Sequence, residues 1–564
     1  MSRAQRRSHA DFSYRRIAGG SPLLALVLAV TLAIAALPAA AARGRRATAA
    51  KPTVPAALQS LQRSGTLTAT LYTQYASAYT RATSTLKKLS GTRRAELGSV
   101  LANVQQIAAA REFIPSRLPA LFLTLERNIQ WWSSEPLLAA DQRVSFPGSH
   151  IVWEYYPGQG IEIQWLATFG EANGYYLQGH ENTQLQETLN EVIPLATQRA
   201  GGIAWEYMFH FDGGAPPWTS GLSQGTALQA LSRAYSRLKN PAYLAADKQA
   251  LGIFLTPPPA GVLVRTAAGS HYLEYTYAPQ ERILNGFIQA DIGLYDYTKY
   301  TGDPLGQKLF EAGDAEARVE VPHYDTGAWS MYDQHSESNL NYHELLTEFL
   351  QNLCTRTTKE GEPLPSAAPA PVPTPTPGPP PPTTTTSTTT TATPPDSSST
   401  GGAAATRVAR VSAAGGAAPA AGKSTATGLA ARTAAAGPAA RAAITAPAPT
   451  PIPGDSIYCT TAQRFTADLH TPPAIALLTR KLPTSARGGV QLSLSKVATV
   501  SLSVSRGGHL VWSNSALVER GKPRLLWITP AKGGIYTVTL RAVDLAGNSS
   551  TTSGTIALSA ARHG

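Results

Sequence analysis

Residues 283–297 read ILNGFIQADIGLYDY, and the spacing within them decides the fold class. Ile283, Phe287, Ala290, Leu294 and Tyr297 recur at a period near 3.6, which predicts a helix packing one apolar face against neighbours. Leu222, Leu228, Leu231, Tyr235 and Leu238 repeat that period upstream, and Tyr342, Leu345, Phe349 and Leu353 repeat it downstream. Successive helices separated by loops, with few strand-like runs, predict a mainly α domain. A ring of paired helices would expose a loop-lined cleft at one end. Working backwards, Leu58, Leu61, Leu67 and Leu71, then Leu97, Val100, Leu101 and Val104, carry helical patterning over about 52–130. A stretch punctuated by Gly and Pro follows, from Pro147 to Gly160.

Working forwards, the composition collapses from Pro365 to about Pro453 into Pro/Thr and then Ala/Gly/Ser tracts. Such a segment buries too little apolar surface to offset its ordering entropy, so it reads as disordered. The helical domain therefore spans 50–355, breaks at a low-complexity insert over 356–454, and resumes in a returning helix within 455–475. Cys354 and Cys459, the two cysteines, flank the insert. In an exported chain such a pair suggests a disulfide at the base of the loop, two buried thiols being the alternative. From 485 to 561 the period changes to two, as in Val490, Leu492 and Leu494, Val500, Leu502 and Val504, and Tyr536, Val538 and Leu540. The ending resembles the last strands of an immunoglobulin- or fibronectin-like β-sandwich.

The 564 residues are 43% hydrophobic and 15% charged, enough for two or three domains with a long unstructured part. The N-terminus reads as an export signal over 1–42. Arg3, Arg6, Arg7, Arg15 and Arg16 precede an apolar run from Leu23 to Leu37, and small residues offer a cleavage site at Ala39 to Ala42. No later segment is apolar enough to span a bilayer. Losing five Arg and one Asp with the signal would take the formal charge from +12 to +8. A mildly basic surface suits a polyanion such as a uronic-acid polymer, or simply keeps the chain soluble. No basic run interleaved with aromatics points to nucleic acid. Metal, dinucleotide, phosphate-loop and nucleophile-elbow motifs are missing, so no metal and no cofactor are expected.

What remains is a density of tyrosine beside carboxylates and histidines: Glu154 to Pro157, His271 to Pro279, His323 to Asp333, and Asn341 to Glu344. Aromatic packing with hydroxyls at the rim is one explanation, sugar binding the other. The order of the motifs is informative. Glu274-Tyr275 with Pro279, then Ile283 to Ile288, Ile292 to Asp296, Tyr324 to Gly327 and Met331 to Asp333, resemble the C-terminal domain of D-glucuronyl C5-epimerases. Pro217 to Gly225 is similar to that family's tryptophan-to-glutamine-glycine segment, and Tyr155-Tyr156-Pro157 to an aromatic-proline motif. With its export signal the chain resembles a secreted, actinobacterial-type member.

The resemblance implies an (α/α) toroid and inversion at C5 of glucuronate within a polymer, giving iduronate. The C5 proton lies alpha to a carboxylate, so its removal needs a base on one face, an acid on the other and neutralisation of the substrate carboxylate. Carried over by position, Glu274, Tyr275, Tyr332 and Tyr342 are the catalytic candidates, with Glu274 as base or acid and Tyr332 or Tyr342 as counterpart. Tyrosine fits either role if neighbours pull its pKa toward the working pH. In a regular strand Glu274 and Tyr275 would face opposite ways, so the segment must turn there. Tyr156, Trp218, Gln224, Asn285, His335 and His343 are the candidate substrate-binding residues. Where the family carries an arginine after its Tyr-Asp pair, this chain has Gln334 and His335, a weaker carboxylate clamp. A polysaccharide lyase shares the proton abstraction, and a non-catalytic glycan- or cell-wall-binding protein shares the scaffold.

Overall fold

The computed structural model describes residues 51–358 and 457–560. The expected signal at 1–42 and the insert from residue 359 onward lie outside the described residues. Arg356, Thr357 and Thr358, assigned above to the insert, instead finish a helix.

Four helices open the chain: α1 Val54–Arg63, α2 Ala69–Lys88, α3 Gly91–Ala109 and α4 Leu118–Ser134. Thr53 and Thr68 start α1 and α2 by accepting the backbone N–H three residues on. Leu58, Leu67, Leu97, Val100, Leu101 and Val104 are buried, whereas Leu71 is exposed. A small sheet follows, β1 Arg143–Val144, β2 Trp153–Tyr156 and β3 Gly160–Ile163, paired in that order. Two buried polar side chains tie it to the helices. Glu96 accepts the Tyr155 hydroxyl (2.9 Å) and the N–H groups of Gly158 and Gly160. Asn128 holds both the N–H and the carbonyl of Ile161. Gly160 sits at φ +90°, and a Cβ there would strike Val100 and Asn128, so glycine is required.

Four helical hairpins come next. α5 Trp165–Gln178 pairs with α6 Asn182–Val192, and α7 Gly221–Leu238 with α8 Pro241–Ala250 and the short α9 Gly252–Leu255. α10 Leu284–Thr301 pairs with α11 Pro304–Glu320, and α12 Leu340–Thr358 with α13 Ile457–Asp468. The first members lie side by side in the order α5, α7, α10, α12. Cys354 and Cys459 form a disulfide joining α12 to α13. The periodicity predicted one packed face per helix, but α7 is buried from Gly221 to Ala234 and α10 from Leu284 to Thr298. Part of their polar content is satisfied inside, Asp296 taking Arg356 (2.9 Å), Arg233 (3.0 Å) and Gln229 (2.8 Å), whereas the Asp291 carboxylate and the Asn285 amide on α10 have no hydrogen-bond partner. Short two-stranded ribbons link the hairpins: β4 Thr197–Arg199 with β5 Gly202–Ala204, β6 Glu206–Tyr207 with β7 Trp218–Thr219, and β8 Leu263–Arg265 with β9 Ser270–Tyr272.

The remaining strands form a separate β unit that begins at Ile475, ahead of the 485 read from the sequence. They are β10 Ile475–Leu477, β11 Lys481–Pro483, β12 Arg487–Leu494, β13 Ala498–Arg506, β14 His509–Val518, β15 Arg524–Ile528, β16 Gly534–Asp544 and β17 Ser549–Ser559. Two sheets, β10-β12-β15 and β11-β17-β16-β13-β14, share one core. The alternating residues named above all point into it, each buried aliphatic side chain contributing about 1.5–3 kcal/mol. None of the described helices is long and apolar enough to cross a membrane.

Candidate active site

Glu274 stands where the chain leaves β9 and bends. The bend is imposed from outside the segment. Tyr275 bridges to Ser220, Gly221 N–H donates to the Glu274 carbonyl (3.0 Å), and Thr276 N–H to the Thr219 carbonyl (3.1 Å). The chain bends at Glu274, and the Tyr275 hydroxyl lies within hydrogen-bonding reach of the Glu274 carboxylate. The carboxylate packs on Gly286 in the first turn of α10, where a Cβ would fall 2.5 Å from Glu274 Oε2. Tyr332 closes the same corner, its carbonyl accepting Leu284 N–H (3.3 Å). Its ring meets that of Tyr342, at the start of α12, with centroids 4.5 Å apart.

The polar atoms gathered here are buried and poorly satisfied. Glu274 Oε2, the Tyr277 hydroxyl and both amide atoms of Asn285 have no hydrogen-bond partner, and the Tyr275 and Tyr332 hydroxyls reach only each other, Glu274 and Tyr342. Buried polar groups are normally paired, so such a concentration is the mark of a ligand site. Burial pushes the Glu274 pKa up to about 7; the nearby Tyr275 hydroxyl lowers it and Glu281 raises it. Burial first, then the Glu274 charge, hold Tyr275, Tyr332 and Tyr342 above the usual phenol range. Among the described residues no cation counts among the causes acting on these phenols, so nothing here offsets their burial with a positive charge. Among these groups Glu274 is the one whose pKa lies near neutrality.

The other candidates divide. Asn285 lies beside Gly286 with its amide free. Tyr156 stacks on Phe209 (4.7 Å) near Glu154 and Tyr207, and Tyr207 senses both Glu154 and Glu274. Trp218 does not line the site. It is buried against Tyr207 (4.3 Å), donates Nε1–H to the Phe209 carbonyl, and supports Tyr275 and Tyr277 edge-on. Gln224 is structural too, its amide donating to the Ile203 and Ala250 carbonyls. His343 is fully buried away from Glu274: Nε2–H donates to the Phe465 carbonyl (3.0 Å), leaving Nδ1 to accept from Ser330. Gln334 staples its loop to 280–282, donating to the Gln280 carbonyl and accepting Arg282 N–H. His335 is exposed at the rim, where its charge opposes the rise of the Glu281 pKa caused by burial, Asp212 and Asp333. Neither residue clamps a carboxylate. Tyr277 was missed, although it follows Tyr275 by two and stacks on it at 5.2 Å; Glu154 was quoted only as part of a motif. Among the described residues no cluster of His, Cys, Asp or Glu could hold a metal ion.

A helical domain with one titrating carboxylate among neutral phenols is the class of site on which comparison with known proteins bears. Residues 199–362 match the family described as the D-glucuronyl C5-epimerase C-terminus. It is 30% identical over 131 residues to a D-glucuronyl C5-epimerase of Caenorhabditis elegans, covering 21% of each chain. It is also 30% identical over 138 residues to an uncharacterized protein of Methanocaldococcus jannaschii, covering 23% of this chain and 45% of the other. The chain thus spans about a fifth and somewhat under half of these relatives. Solved structures with partial likeness include a sugar epimerase from a ruminal bacterium (TM-score 0.25, 14% identity, 34% of this chain and 55% of that one). A heparin-specific unsaturated glucuronyl hydrolase also appears (TM-score 0.25, 11% identity, 38% and 74%).

Proposed function

We propose that the protein is an extracellular C5-epimerase that converts glucuronate to iduronate within an acidic, heparosan-type polysaccharide. In this reading the four helical hairpins are an (α/α) toroid, the β unit is an immunoglobulin-like accessory domain, and the chain works outside the cell or at its wall. The observation that carries it is Glu274, a buried carboxylate titrating near 7 on a family domain. Ionised, it removes the C5 proton. A phenol, Tyr332 or Tyr342, returns a proton from the opposite face, and its own proton is then restored from Glu274 or solvent. Hydrogen bonds from Tyr275, Tyr277 and Asn285 are available to the enolate-like oxygens in place of a guanidinium.

The test is incubation with desulfated heparosan in deuterated water. C5 deuterium incorporation with appearance of iduronate supports the proposal, while an unsaturated uronate absorbing in the ultraviolet would mean elimination, hence a lyase. Tyr332→Phe and Tyr342→Phe should each lower exchange by roughly 10²- to 10⁴-fold with helical content unchanged. Full exchange in both variants would refute the roles given to them.

A further inference from the structure

We infer that the β unit is the strut that positions the Tyr332 loop, with Lys496 and Arg520 as its positioning residues. The inference rests on the proposed function for its kinetic consequence but not for its geometry. Residues 325–338 fold into two successive tight loops, the first closed by a bridge from Asp325 to Ser330 and the second, the Tyr332 hairpin, by a bridge from Met331 to Glu337. Tyr332 sits at the turn, its N–H donating to the Ser336 carbonyl (2.8 Å). Nothing in this hairpin belongs to a helix or a broad sheet; one side is fastened through the Tyr332 carbonyl to Leu284 N–H and through Gln334 to residues 280–282, and the other rests on what lies behind it.

Behind it is the β unit. Lys496, in the turn between β12 and β13, has a side chain only 1% exposed and pairs with the fully buried Asp544 (2.9 Å). Its remaining donors go to the carbonyls of Asp468 (2.7 Å), the last residue of α13, and Thr471 (2.6 Å), just past it, and its ammonium lies 5.0 Å from the Trp329 ring centroid. Trp329 also stacks on His343 at 3.7 Å, and its indole N–H donates to the Ser338 carbonyl. Trp329, beside the hairpin, is thereby held by both a buried cation and a buried imidazole. At its outer strand Glu337 accepts Val497 N–H (3.1 Å) and pairs with Arg520 (3.0 Å), whose guanidinium also reaches Met331 Sδ. The β unit thus reaches residues 51–358 through Trp329, Met331 and Glu337, the residues flanking Tyr332. An accessory domain merely tethered to the enzyme would have no reason to bury an ion pair against this hairpin.

Tyr332 has to meet the sugar carbon from the face opposite Glu274, and small displacements of a catalytic group are expensive in rate. The experiment uses the full chain and two readouts. Arg520→Glu sets two carboxylates against each other across the contact, and Arg520→Lys keeps the charge. Lys496→Met with Asp544→Asn removes the buried pair together, which avoids stranding one charge. In Arg520→Glu and in the double variant, amide exchange at 329–338 should quicken about fivefold or more, with the helices and the β-unit core unchanged. In the same two variants kcat should fall about tenfold with KM within about twofold, and Arg520→Lys should match the wild type. Wild-type exchange at 329–338 in both altered proteins overturns the inference, as does a loss expressed in KM alone. If the wild-type chain shows no C5 exchange at all, the uronate reading fails while the amide measurement still decides the strut.

Discussion

At the scale of single residues, Glu274 binds activity and stability together with opposite signs. Its pKa is raised by burial from the ordinary carboxylate value to about 7. Between those two values the folded chain holds a proton that the unfolded chain has released, so stability falls as pH rises through the window. The cost is absent below the unfolded value and complete above pH 7, at about 3 kcal/mol. In the proposed mechanism catalysis runs the other way, because only the ionised form removes a proton. Glu274→Gln should therefore abolish C5 exchange by roughly 10²- to 10⁴-fold and yet unfold at higher urea than the wild type at pH 8.5, with the gap shrinking toward pH 5. A gap that does not change with pH would mean that Glu274 is not held neutral by burial. Wild-type exchange itself should climb as pH passes through 7. The same residue also shows where sequence reading stops. That the Tyr275 hydroxyl comes within reach of the Glu274 carboxylate depends on Ser220, Gly221 and Thr219, more than fifty positions away, and no local pattern carries that information. Residue type misled as well: Trp218, Gln224 and His343 are suited to sugar binding by chemistry, but burial has used every one of their polar groups inside the protein.

At the scale of elements, periodicity was a good guide to where helices run and a poor one to what surrounds them. The stripe through Ile283, Phe287, Ala290, Leu294 and Tyr297 falls on α10 and its N-cap, since burial of that stripe is what the period records. It gave no hint that the polar face of α10 would be buried too, because Gln289, Asp291 and Asp296 look like solvent positions until partners from other helices enclose them. The glycines hold the missing signal. Gly225 of α7 and Gly293 of α10 lie face to face: a Cβ on Gly293 would run into the Gly225 carbonyl, and one on Gly225 would come within 2.6 Å of Ala290 Cα. The two central helices touch backbone to backbone, with no flexible side chain able to yield. Gly293→Ala should consequently cost about 2–3 kcal/mol despite the higher helix propensity of alanine, seen as a lower midpoint in thermal or urea unfolding. An unchanged or raised midpoint would show that α7 and α10 separate at little cost. Because α10 also carries Asn285 and Gly286 beside Glu274, exchange activity should fall further than the population of folded protein accounts for.

At the scale of the whole molecule, charge is divided unevenly between the parts. Residues 51–358 hold 22 Lys and Arg against 28 Asp and Glu, whereas residues 475–560 hold ten against two. The site thus lies in the acidic part, with Asp212, Glu281 and Asp333 at its rim, and a polyanion approaching it alone would meet repulsion. The basic β unit packs beside the Tyr332 hairpin and supplies the opposite field. Arg524 pairs in register with Gln491 on β12, and Arg487 lies on the same outward face of the three-stranded sheet by strand alternation. Both are exposed, and the Arg524 stem rests over Gly489. Charges of this kind act on encounter and capture, and salt screens them over about 10 Å at 0.1 M. Arg487→Ser with Arg524→Ser should raise KM for a uronic-acid polymer about threefold or more at low ionic strength, leave kcat unaltered, and lose its effect as salt is added. A short oligosaccharide, unable to reach from the site to the β unit, should be indifferent to the change. If the double variant matches the wild type on the polymer at low salt, the cations of the β unit serve solubility, and capture has to come from the few basic side chains, such as Arg282, near the mouth of the site.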